Sequence, residues 1–177
     1  MDLNGYLDPV SLERPEFEYL GGKESFSHHI SVHTPDHPIR ELDKHQVAII
    51  GIPVDSNAFI KGSKDAPDKV RSKLYQLKKI NKNLRIYDLG NVKNGGSVND
   101  TYYALRDILL ELKERDIVSI ILGGSQDLSR GVFLALEKQE GHVAERQTKQ
   151  QAAAGFVHKQ FECMSRRRRY SAQQHAE

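Results

Sequence analysis

Apolar residues come in three short, nearly unbroken runs, and each run leads through a polar stretch into apolar residues at helical spacing. The first, Val47-Ala48-Ile49-Ile50-Gly51-Ile52, is rich in β-branched residues and ends at Pro53, which is how a strand buried on both faces reads. Behind it, Pro67 stands at a first helical turn, where its missing N–H leaves no bond unmade. Val70, Leu74, Leu77 and Lys78 then fall at helical spacing among charges, which predicts an amphipathic helix over 66–79. The second run, Leu84 to Leu89, predicts a strand closed by Gly90. A polar loop, Asn91 to Ser97, leads to a helix over 99–115 with the stripe Leu105, Ile108, Leu109 and Leu112, capped by Asn99 or Asp100. The third run, Ile117 to Leu122, passes through Gly123-Gly124-Ser125-Gln126-Asp127 into a helix over 126–138 that sets Leu128, Val132 and Leu136 on one face.

Strands alternating with helices predict an α/β fold in which right-handed crossovers build a parallel sheet covered on both sides. Three strands are few for such a sheet, so residues 46–138 read as the front part of a larger α/β domain. Residues 1–45 carry polar runs and scattered prolines (Pro9, Pro15, Pro35, Pro38) and show no regular pattern.

Composition changes this picture at one place. Residues 1–138 hold 29 Ile or Leu and three Gln, whereas residues 139–177 hold no Ile, Leu, Asp, Asn or Pro and seven Gln. The break falls within an apolar helical pattern rather than at a linker. The tail is therefore read either as a natural low-complexity extension or, preferably, as the product of a changed reading frame, because domains seldom end partway through a core element. It is thus read as a disordered or frame-shifted tail, and in both readings it adds little to a core.

Charge and targeting signals narrow the class. A net charge of +2 over 177 residues gives no general case for nucleic acid, and no apolar run nears the roughly 20 residues that span a bilayer. The N-terminus has no basic segment followed by an apolar core, and Cys163 has no partner for an internal disulfide, which together point to the cytoplasm. Arg166 to Arg169 form a basic run beside Tyr170; with no nucleic-acid-binding motif alongside, they imply weak, nonspecific polyanion binding by an exposed tail.

Candidate chemistry concentrates where the third strand ends, since ligands in open α/β sheets collect at the carboxyl ends of strands. Gly123 and Gly124 lack a full nucleotide-binding pattern and are read as a close-packed strand-to-helix turn. Asp127 is read as the cap of the helix that begins near Leu128, ahead of a role as metal ligand. His28, His29, His33, His37 and His45 precede the first strand without the spacing of a metal site and are read as exposed loop histidines. Cys163, Ser56, Ser125 and Ser129 have no nucleophile context, so no covalent catalysis is assigned.

Three segments together resemble the ureohydrolase family of arginase, agmatinase and formimidoylglutamase. They are Gly51-Ile52-Pro53-Val54-Asp55-Ser56, the loop and helix Lys61 to Arg71, and Ile121-Leu122-Gly123-Gly124-Ser125-Gln126-Asp127-Leu128. The last is similar to the family's Leu-Gly-Gly-Asp-His-Ser-Leu. The resemblance implies a three-layer αβα fold and a manganese pair whose bridging hydroxide attacks the carbon of a guanidinium or formimino group. It also implies a departure: the family's histidine ligand falls on Gln126, and the aspartate before it on Ser125. The family's later Asp-x-His-x-Asp and Asp-x-Asp motifs are absent from this sequence. The expectation is therefore an incomplete arginase-like fold with no catalytic residues and no cofactor in this chain, although intact relatives carry a Mn(II) pair. A small guanidino or formimino substrate belongs only to a complete site; self-association or polyanion binding is the alternative role.

Overall fold

The computed structural model describes residues 1–13, 17, 22–59, 61–78, 81 and 83–138. Met1–Ala135 forms one compact unit and Leu136–Glu177 a second; the architecture that follows is that of the first. The tail, with Cys163 and Arg166 to Arg169, lies outside the described residues.

Among the described residues five strands make one sheet: β1 (Leu7–Asp8), β2 (Ser31–Val32), β3 (Val47–Ile52), β4 (Ile86–Val92) and β5 (Val118–Gly123). The long strands run in the order β4-β3-β5, all parallel. On the other edge of β4, β2 adds parallel and β1 antiparallel. The expected parallel sheet is there in β4-β3-β5, and the segment before residue 46 adds two short strands, one of them antiparallel, which makes the whole mostly parallel. Leu3, Leu7 and Val10 from that segment are buried.

The helices are α1 (Ala66–Leu74), α2 (Val98–Glu114) and α3, which occupies residues 129–138. α2 buries the predicted stripe, Leu105, Ile108, Leu109 and Leu112, against Ala48, Ile50, Ile52, Tyr87 and Leu89. Its cap differs from expectation. Ser97 takes that position, its hydroxyl accepting from Asp100 N–H while Asp100 accepts from Ser97 N–H, a reciprocal box that satisfies two donors at once. α3 packs beside α2, with Gly131 against Leu105 and the Tyr102 carbonyl. α1 covers the opposite face, where Arg71 reaches Asp88 and Asn91 of β4. Helices on both faces of a mostly parallel sheet give the three layers.

α1 is shorter than its pattern and rotated from it. It ends at Leu74, and Tyr75 turns inward to complete burial while Val70 and Leu77 stay exposed. The residues that face the sheet are Pro67, Arg71 and Ser72, so a cation occupies the place that the apolar stripe suggested for Val70. Arg71 is fully buried. Its Nε and Nη2 donate to the two oxygens of Asp88 at 2.8 and 2.9 Å, Nη2 also donates to the Gly90 carbonyl at 2.8 Å, and Nη1 donates to Asn91 Oδ1 at 2.6 Å. Tyr75 O–H and Gly90 N–H complete the set around Asp88. Burial is the largest single influence and would lower the Arg71 pKa, but the charge and hydrogen bonds of Asp88, with Tyr75 and Asp68, together outweigh it and raise the value.

β4 makes this cluster possible by breaking its own alternation. Two residues of β3, Ile49 and Gly51, match Asp88 and Asn91, which are three apart, so Gly90 is the extra residue of a bulge. Gly90 has φ +88°, and a Cβ there would run into the Asp8 carbonyl of β1. The slip puts Asp88 and Asn91 on one face and returns Leu89 and Val92 to the other. Without it, Asn91 would point into the apolar core.

β3 and β5 have nearly the same composition but different surroundings. Every residue of β3 after Val47 is buried, whereas β5 forms the sheet edge among the described residues and leaves Val118 64% and Ile120 46% exposed. Those two pair with Val47 and Ile49 and therefore sit on the α1 face, which α1 covers only partly. No helix among the described residues is long and apolar enough to cross a membrane.

Candidate functional site

The carboxyl ends of β3 and β5 lie side by side, and their backbones are joined past the last sheet pair. Gly124 N–H donates to the Ile52 carbonyl at 3.2 Å and Ser125 N–H to the Val54 carbonyl at 2.9 Å. A Cβ on Gly124 would run into the Val54 carbonyl, whereas Gly123 meets nothing within 4 Å. The close approach therefore depends on Gly124 alone. Because the amides of Gly124 and Ser125 are engaged in this ladder, the turn does not present them to an anion.

Next comes the short 3-10 turn Gln126–Leu128. Ser125 is its N-cap residue, but the Ser125 side chain caps nothing and approaches the Val54 carbonyl at 3.5 Å instead. Gln126 is exposed and Leu128 buried. Asp127 lies within the turn, which corrects its reading as a helix cap. Its Oδ2 accepts from Tyr102 O–H, in a short hydrogen bond, and from Asn57 Nδ2 at 2.8 Å. Asn57 Nδ2 is also 3.3 Å from the Tyr102 hydroxyl, and the Arg130 guanidinium stands over the Tyr102 ring, 5.8 Å from its centroid. Desolvation works against the Asp127 charge, yet the polar contacts of Ser125, Tyr102 and Asn57 outweigh it and hold the carboxyl below its ordinary pKa. The same carboxylate, aided by burial, pushes the Tyr102 phenol up.

The loop after β3 brings Asn57 to this point and has its own supports. Asp55 Oδ2 accepts from Gly62 N–H at 2.7 Å, and Lys61 Nζ donates to the carbonyls of Asp55 and Ser56 at 2.8 and 2.7 Å. Beside the loop, a cleft of about 370 Å³ opens between Asp55, Ser56 and Lys64 on one side and Asn94 to Val98 on the other.

These donors do not suit a pair of hard divalent cations. Such ions take several oxygen or imidazole ligands each. Ser125 and Gln126 carry no charge. One oxygen of Asp127 is engaged twice, and the other is buried without a hydrogen-bond partner, a single atom where a pair of ions requires many. Among the described residues no group of three or more His, Cys, Asp or Glu is placed to hold a metal ion.

The upstream histidines do not converge on this turn. His28, His29 and His37 are exposed. His33 lies in a loop, but its reading as an exposed histidine is corrected: it is buried, and its Nδ1–H donates to the Leu89 carbonyl at 2.9 Å. His45 is half-buried, 2.9 Å from Ser31 Oγ and with its ring against Tyr87. Sequence reasoning missed Asn57 and Tyr102, whose roles depend on contacts 70 and 25 residues away from Asp127. It also missed the Arg71–Asp88 pair, for which one signal existed: a carboxylate inside a strand whose neighbours are apolar.

Comparison with known proteins bears on the scaffold. Residues 45–145 match the model of the arginase family. Among solved structures, formiminoglutamase of Trypanosoma cruzi with Mn2+2 is 21% identical with a TM-score of 0.52, over 56% of this chain and 37% of that one. The agmatine ureohydrolase of Thermoplasma volcanium is 22% identical with a TM-score of 0.50, over 55% and 36%. A hypothetical agmatinase from Burkholderia thailandensis is 18% identical with a TM-score of 0.51, over 77% and 45%. At such identities the likeness is one of fold, and the chain spans less than half the length of each. No curated protein matches the chain.

Proposed function

Starting from the premise that the chain belongs to the arginase family, we propose that it keeps part of the scaffold of a guanidino or formimino C–N hydrolase without the manganese pair or the activity. The observation that carries this reading is the turn after β5. By the resemblance of Ile121 to Leu128 to the family's Leu-Gly-Gly-Asp-His-Ser-Leu, Ser125 and Gln126 fall where the family has its aspartate and histidine, and the adjacent carboxylate, Asp127, is tied to Tyr102 and Asn57. Two-metal hydrolysis needs anionic ligands that hold both cations close enough to acidify one water. A neutral amide at 126 weakens the first position. Residues 128–177 hold no aspartate, so none of them supplies an aspartate ligand.

The test uses the purified full chain, loaded with excess Mn(II), desalted and assayed against guanidino and formimino compounds. The expected result is far less than one tightly held manganese per chain and no release of urea, ammonia or formamide. About two manganese per chain together with product release would overturn the proposal.

A further inference from the structure

We infer that Asp127 is a clasp that replaces a metal ion as the tie between the strand ends, and that this turn keeps its shape with no divalent cation bound. The inference rests on the reading of the chain as a member without the manganese pair. Where the family carries Gly-Gly-Asp-His-Ser, this chain carries Gly123-Gly124-Ser125-Gln126-Asp127. The acid and the hydroxyl have exchanged places. The acid now lies two residues further on, inside the 3-10 turn rather than at its start.

That displacement changes what the carboxylate can reach. From position 127 it accepts from Asn57, in the loop after β3, and from Tyr102, in the second turn of α2. Three elements that converge at the sheet end are thereby joined by one oxygen. Backbone bonds from Gly124 to the last residue of β3 and from Ser125 to Val54 just beyond it hold the turn's start, and the clasp holds the turn itself. A cation ligated at Asp127 would compete with both donors for that oxygen, and the partner-less oxygen is closed to solvent. Hydrogen bonds to an ionised acceptor are among the stronger ones a protein makes, so the clasp supplies locally the kind of cross-link that ligation supplies in a metal site.

Thermal unfolding of the full chain in EDTA and in millimolar Mn(II) tests this, with wild type, Asp127→Asn, Tyr102→Phe and Asn57→Ala compared. The clasp predicts that wild type melts at the same temperature in both solutions. In EDTA, Asp127→Asn should melt about 4 °C or more lower, and each donor variant should fall by a smaller amount. The losses from Tyr102→Phe and Asp127→Asn should be less than additive in the double variant, because both act on the same bond. Should Asp127→Asn fail to fold, the two donor variants still report. A wild-type transition raised by Mn(II), with the rise lost in Asp127→Asn, would make Asp127 a ligand and overturn the inference; so would an Asp127→Asn variant as stable as wild type in EDTA. Turnover with manganese by a wild type whose melting ignores the metal would instead sink the proposed function and leave the clasp standing.

Discussion

Asp88 and Asp127 are both carboxylates that accept from a tyrosine hydroxyl, Tyr75 in one case and Tyr102 in the other. Beyond that they differ in every respect that sets energy. Asp88 is fully buried and faces a guanidinium that bonds both of its oxygens. Asp127 is half-buried and has two neutral donors on one oxygen and, among the described residues, no ion pair of its own. A buried charge is tolerable only when paired and fully hydrogen-bonded. The first cluster meets that condition and joins α1 to β4. The second does not need to, because water still reaches its edge. The same side-chain pair can thus anchor a core or fasten a loop, and the presence of a buried cation decides which.

The largest break in this comparison is Arg71→Ala. It leaves Asp88 ionised, buried and without its cation, and should cost about 3–5 kcal/mol, measured by urea unfolding; a cost under about 1 kcal/mol would mean that Asp88 is wet or protonated in the fold. Next is Asp127→Asn, expected to cost about 1–2 kcal/mol because neutral donors lose a charged acceptor at a partly solvated site. Acid separates the two further. The Asp127 carboxyl is held below its ordinary value, so its contribution is complete above the unfolded pKa of about 4 and is lost as pH falls through the depressed one. The stability gap between wild type and Asp127→Asn should therefore be full at pH 7 and close at lower pH; a gap that persists in strong acid would show that charge is not its source. The smallest expected effect is that of Gln126→His. The side chain is exposed, so stability should stay within about 0.5 kcal/mol, and manganese-dependent turnover should not appear; measurable turnover would mean that the missing ligands are supplied elsewhere.

How far the sequence revealed all this depends on the range of the interaction. β3 matches its predicted bounds, Val47 to Ile52, and α2 buries the stripe read from its spacing, since both follow from local apolar periodicity. β1 and β2 have two residues each, too few for any period to show. α1 misled because a count of apolar positions treats arginine as a surface residue, whereas Arg71 has its partner on a strand. Asp127 misled for a related reason. An acid ahead of an apolar helix is a familiar cap, but the turn had already begun at Gln126, and its real partners come from two distant elements. Local chemistry was legible; long-range polar pairing was not.

The slip at Gly90 has a consequence for how this chain can vary in length. Surface loops absorb an added or lost residue at little cost, but β4 would not. Losing Gly90 would leave Asn91 and Val92 on their present faces, since alternation would run unbroken from Asp88. It would, however, take away the carbonyl that accepts from Arg71 and the N–H that donates to Asp88, and it would draw the end of β4 back by one residue against β1. One missing codon would then disturb the hydrogen bonding of a cation and the pairing of the chain's first strand together.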